Sequence, residues 1–169
     1  METLQIRFIR GTGWDSKVIE WDTRCWTSHV ELVSIFMTFG AQLKGGVKWR
    51  SVLDPCYKNV DWIEVFEIQI TDLQHERLQK IMEETDGLPY DWRAIVSFGL
   101  GQRDWREPDS WFCSEFVCMV LEQLCILLDL GVDLPVWRIT PRDAYMLLKE
   151  KSNFKLVYQS TSVKPSLKK

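Results

Sequence analysis

The chain opens on an alternation of apolar and polar residues, METLQIRFIR, which predicts a β-strand over residues 3–9. From Ser16 to Cys25 the spacing becomes helical, with Val18, Ile19 and either Trp21 or Trp26 turned inward. Four β-rich stretches follow at 28–33, 39–43, 47–52 and 60–70, with turns near Met37, at Gly45-Gly46 and around Asp54-Pro55. They read as an antiparallel meander. Thr71 or Asp72 caps a helix running to about Thr85, with Leu73, Leu78, Ile81 and Met82 inward and Gly87 at its end. Pro89 introduces a helix over 90–100, and Asp109 and Ser110 are capping candidates for a strongly apolar helix over 113–130. Thr140-Pro141-Arg142-Asp143 sets a cap, a first-turn proline and a first-turn acid in order at another helix start. Residues 154–159 read as a closing strand, and 160–169 as a disordered basic tail. The expected fold class is α+β, one domain over 1–159 with an antiparallel sheet against helices.

Composition narrows the function classes. At 169 residues and 46% hydrophobic, the chain suits one well-filled core. The balance of 21 basic and 24 acidic residues, net charge −3, gives no overall pull toward nucleic acid or anionic membrane. The most apolar stretch, 112–130, is interrupted by Ser114, Glu115, Glu122, Gln123 and Asp129, so no stable membrane insertion is expected. With no signal peptide at the start, the expectation is a cytoplasmic protein, with release by phage lysis or a secretion machine as the route to any outside substrate. Five cysteines at 25, 56, 113, 118 and 125 form no CxxC pair, and two histidines make no Cys/His cluster; free thiols, no metal and no cofactor are expected.

Of those cysteines, Cys113 stands at the first turn of an apolar helix. Unpaired backbone N–H groups and the helix dipole favour a thiolate there and could hold an oxyanion. The competing reading is a small core residue, which is how Cys118 and Cys125, on one face of the same predicted helix, are taken. A thiolate nucleophile needs an imidazole. His75 lies among Gln74, Glu76 and Arg77 on a solvated helix face, whereas His29 opens the strand His29-Val30-Glu31-Leu32-Val33 and shares a face with Glu31. A solvated polar strand face is the alternative there.

Four segments in order, Ser28-His29-Val30-Glu31-Leu32-Val33, then Gly40-Ala41-Gln42 with Gly45-Gly46-Val47, then Gly87-Leu88-Pro89-Tyr90-Asp91-Trp92, then Phe112-Cys113-Ser114-Glu115-Phe116-Val117, resemble the circularly permuted NlpC-type cysteine hydrolases of the YiiX kind. These are related to the lecithin:retinol acyltransferase-like proteins. The resemblance covers about residues 4–127 and implies a permuted papain-like fold with the histidine strand before the cysteine helix. It implies Cys113 as nucleophile and His29 as general base. The third member is either Glu31, on the face and strand of His29, or Gln42, if the hairpin through Met37 sets it opposite. A carboxylate would stabilise the imidazolium more strongly than an amide, which favours Glu31. Tyr90, in the Gly-Leu-Pro-Tyr match, either lines the site and donates to the oxyanion or packs on the core.

The resulting expectation is an amidase or peptidase working through a Cys113 thioester, with peptidoglycan peptides as its substrate. Two readings compete with it: an acyltransferase or lipid-ester hydrolase using the same pair, and a non-catalytic binding or virion-associated module. The partner is thus a peptide, glycopeptide or acyl substrate. Trp14, Trp49, Trp105 and Trp111, which sit in polar settings, are candidates for a groove wall or for core packing.

Overall fold

The computed structural model describes residues 1–93, 96, 109–129, 135, 136 and 139–160. Six strands form one sheet in the order β4-β3-β2-β1-β5-β6, from β1 (Glu2–Gly11), β2 (His29–Ser34), β3 (Met37–Gln42), β4 (Gly46–Ser51), β5 (Val60–Ile70) and β6 (Lys155–Gln159). Every pairing is antiparallel. The helices are α1 (Trp14–Thr23), α2 (Asp72–Thr85), α3 (Cys113–Gln123), the single turn α4 (Ile126–Asp129) and α5 (Pro141–Glu150). The architecture is therefore α+β, as the pattern of elements predicts. Among the described residues no helix is long and apolar enough to cross a membrane.

Period-two alternation decides which face does what. Leu4, Ile6 and Phe8 of β1, Val30 and Leu32 of β2, and Phe39 and Ala41 of β3 enter one apolar core with the buried face of the helices. Residues 113–121 of α3 are all buried, so this helix runs through the middle of the molecule and not along its surface. Phe116 meets Phe39 at 5.7 Å between ring centroids, and Trp26, Phe8 and Tyr145 interlock edge to face. The opposite face of β1–β3 carries Arg7, Glu31, His29 and Gln42, and it is covered by the connection between β4 and β5 through Tyr57.

Several expectations shift by local physics. The helix predicted over 113–130 ends at Gln123, because Cys125 adopts a left-handed φ of 60° and turns the chain before α4. Cys125 is consequently exposed, not core, while Cys118 is buried. Asp109 and Ser110 do not cap α3; Phe112 is the N-cap and the Glu115 carboxylate accepts its N–H at 3.3 Å. Trp26, not Trp21, is the inward tryptophan, and Leu73 is exposed at the start of α2. Thr71 and Thr140 cap α2 and α5 with Gln74 and Asp143 reaching back. Tyr90 does not start a helix: it bridges Trp111 in extended conformation, and most of the helix predicted over 90–100 lies outside the described residues, as do Trp105 and 161–169 of the predicted tail.

Candidate active site

Three chain segments far apart in sequence are tied together at one edge of the sheet. The N–H of Val47 donates to the carbonyl of Leu88 and the N–H of Gly87 donates to that of Val47, both at 2.8 Å. The Gly-Leu-Pro-Tyr segment thereby docks against β4. Gly46, at φ +67°, is required for this approach, since a Cβ there would lie 2.1 Å from the Leu88 oxygen. Beyond it, Trp111 N–H donates to the Pro89 carbonyl at 3.0 Å and Asp91 N–H to that of Trp111 at 3.1 Å, so Tyr90 is set beside Phe112 and Cys113. Cys113 is 1% exposed at the first position of α3, where its own N–H has no helical acceptor.

His29 faces this helix end from the start of β2. Its Nε2 lies 3.3 Å from Glu31 Oε2, and Cys113 is near enough for its charge to act on the ring. Glu31 is fully buried and its two oxygens are divided. Arg7 donates from both Nε, at 2.9 Å, and Nη2 to Oε1. Oε2 receives the Tyr57 hydroxyl at 2.7 Å and the Gln42 amide at 3.2 Å besides His29. Gly40 lies across from Glu31 and makes room for it, because a Cβ on Gly40 would stand 2.9 Å from the Glu31 Cβ.

The electrostatics follow from that arrangement. Burial alone would lower the His29 pKa; the charges of Cys113 and Glu31 and the Glu31 hydrogen bond outweigh burial and raise it to about 10. Burial alone would raise the Glu31 carboxyl; His29 and Arg7 overcome this and hold it at about 2. Tyr90 is held well above its ordinary value by burial first and then by the charge of Cys113, so its hydroxyl stays protonated beside the thiol. His29, Gln42, Tyr57 and Tyr90 line a pocket of about 400 Å³, with Trp14 and Lys44 at its sides. Among the described candidates Trp14, 69% exposed, lines the pocket, whereas Trp111 packs on the core and Trp49 against Phe39.

The structure thus brings Cys113, His29, Glu31 and Tyr90 together. Gln42 joins them differently from expectation: it bonds Glu31 and Tyr57, not His29. Arg7 and Tyr57 are neighbours of Glu31 that the sequence pattern does not single out. Arg7 is a charged residue at an alternating position of β1, and only the β1–β2 register sets it against Glu31. Tyr57 sits in a single 3-10 turn with no periodic signal.

Fold and site define an α+β protein with a Cys-His-Glu constellation at a helix start, its cysteine and carboxylate buried and its histidine partly exposed. No family model and no curated protein matches the chain. Among solved structures it is similar to the crystal structure of the metalloprotein yiiX from Escherichia coli O157:H7, with a TM-score of 0.66 at 18% identity, covering 94% of this chain and 97% of that one. The likeness is one of fold.

Proposed function

We propose that the chain is a cysteine hydrolase with a permuted papain-like fold, one catalytic domain over 1–159, in which Cys113 is the nucleophile and His29 the base. The observation that carries this reading is the placement of His29 between the Glu31 carboxylate and the thiol of a helix-start cysteine. The likeness in fold to yiiX, of a kind related to the retinol acyltransferase group, supports it.

With Nε2 engaged by Glu31, Nδ1 is the nitrogen left for the thiol. The Cys113 proton passes to Nδ1, and the thiolate attacks the substrate carbonyl. The oxyanion that forms takes hydrogen bonds from the Cys113 N–H and the Tyr90 hydroxyl. His29 returns the proton to the departing amine as the tetrahedral intermediate collapses to a thioester. Water, deprotonated by His29, then releases the acid and restores the thiol. Glu31 stays ionised throughout and balances the imidazolium.

The pocket mixes Asp15, Lys44 and Asn59 with Trp14 and Ile19, a lining that suits a peptide amide better than a long acyl chain. Peptidoglycan stem peptides are the substrate class that the resemblance implies. A resident metal fits poorly, because Glu31 already carries the Arg7 guanidinium and two neutral donors, and no group of three or more His, Cys, Asp or Glu among the described residues could hold an ion.

Iodoacetamide labelling of Cys113 against pH, read by peptide mass spectrometry in wild type and His29→Ala, tests the reading. A thiolate-imidazolium pair gives rapid labelling well below pH 8.5, lost without His29. Slow labelling indifferent to His29 would overturn it in favour of a binding module. An acyl adduct trapped on Cys113 from lipid esters, and none from peptides, would move the substrate to the acyltransferase class.

A further inference from the structure

Arg7 and Glu31 form a buried ion pair of unusual shape. A guanidinium ordinarily forks across both oxygens of a carboxylate, yet here both Arg7 donors converge on Oε1. Oε2 is left to Tyr57, Gln42 and His29. Proton bookkeeping fixes the direction of this cluster. An ionised carboxylate only accepts, so the single Tyr57 hydroxyl proton points at Glu31, 2.7 Å away. Thr38 must then donate to the Tyr57 oxygen at 2.6 Å, and the Gln42 amide donates to it at 2.8 Å. The Tyr57 ring also lies 4.5 Å beneath the Arg7 guanidinium carbon, so one side chain touches both partners of the ion pair.

We propose that Tyr57 is a positioning residue of this site: its hydroxyl, itself oriented by Thr38 and Gln42, holds Glu31 Oε2 out of the Arg7 fork and on His29. The proposal rests on the hydrolase reading above. Without the hydroxyl, the carboxylate rotates toward a two-oxygen pairing with Arg7, the bond to His29 weakens, and the imidazolium loses its counter-charge. The charged and titratable groups around His29 and Glu31 are Arg7 from β1, Cys56 and Tyr57 from the 3-10 turn, Cys113 from α3 and Tyr90 from the docked segment. Tyr57 can be altered at a single oxygen, since phenylalanine keeps the ring under Arg7.

The test measures Cys113 alkylation by iodoacetamide against pH, and the His29 titration by NMR, in wild type, Tyr57→Phe and Thr38→Val. For Tyr57→Phe the alkylation midpoint rises by about one pH unit, the rate at pH values below the wild-type midpoint falls roughly tenfold, and the His29 midpoint falls. Thr38→Val, which removes only the donor behind Tyr57, shifts both midpoints the same way by less. Opposed movement of the two midpoints is a signature that loss of fold stability does not produce. Unchanged midpoints with a lower unfolding midpoint would make Tyr57 merely structural and overturn the proposal. A shift of the opposite sign, expected if the freed carboxylate simply became more basic toward His29, would overturn it too. If Tyr57→Phe does not fold, the His29 titration in Thr38→Val decides. A wild-type Cys113 indifferent to His29→Ala would instead be a failure of the hydrolase reading, visible before either variant is compared.

Discussion

His29 and Glu31 stand two residues apart on β2, share one face of the strand, and meet through Nε2 and Oε2 at 3.3 Å. The carboxylate they depend on is also the counter-charge of Arg7, which is 7% exposed. Glu31→Gln is therefore expected to cost about 3 kcal/mol in urea unfolding, because it strands a buried guanidinium. Arg7→Met added to Glu31→Gln should recover part of that loss while Cys113 alkylation at low pH stays slow. Full recovery of alkylation in the double variant would remove Glu31 from the site.

Acid should unfold the protein partly through the same residue. The Glu31 pKa of about 2 lies below its free value of 4.5, so its contribution to stability is complete above pH 4.5 and is lost as pH falls toward 2. The loss is at most about 1.4 kcal/mol per pH unit over that window. Urea midpoints taken between pH 5 and pH 2 should show this limb in the wild type, and it should be flatter in Glu31→Gln.

His29 should remain protonated through neutral pH and titrate near pH 10, not near 6.5. Cys113→Ala removes the thiolate charge, so the His29 midpoint moves back down. NMR of the imidazole reads both; an unmoved midpoint would mean that the thiolate does not face the ring.

Two glycines carry steric predictions. Gly40→Ala puts a methyl group 2.9 Å from the Glu31 Cβ, and about 1–3 kcal/mol of stability and most low-pH alkylation should go together. Gly46→Ala meets a backbone oxygen at a positive φ and should cost more, undocking the segment that holds Tyr90. Thermal melts and Cys113 labelling check both.

Tyr90→Phe separates nucleophile from oxyanion. Alkylation develops no oxyanion and should keep its wild-type rate, whereas acylation by an activated ester should slow roughly 10²-fold or more if the hydroxyl donates to the tetrahedral intermediate. Equal effects on both reactions would return Tyr90 to a packing role.

The sequence by itself determined the alternation that makes β1 and β2, the caps at Thr71 and Thr140, the apolar run that buries α3, and the shared face of His29 and Glu31. Each is a local matter, written in the period of a strand or helix or in the chemistry of one turn. It also placed Cys113 at a helix start, although it assigned the cap to Asp109 or Ser110 and continued the helix past Cys125, whose left-handed backbone no glycine announces. What tertiary structure alone decided is the environment of the carboxylate. Whether Gln42 serves His29 or Glu31 depends on where side chains from two strands end, not on register alone. Arg7 reaches Glu31 through pairing across 24 positions of chain, and Tyr57 arrives from an irregular connection across 26. Such contacts have no period, so pattern is silent on them. The burial that makes a lone carboxylate depend on its donors exists only once the chain has closed over it.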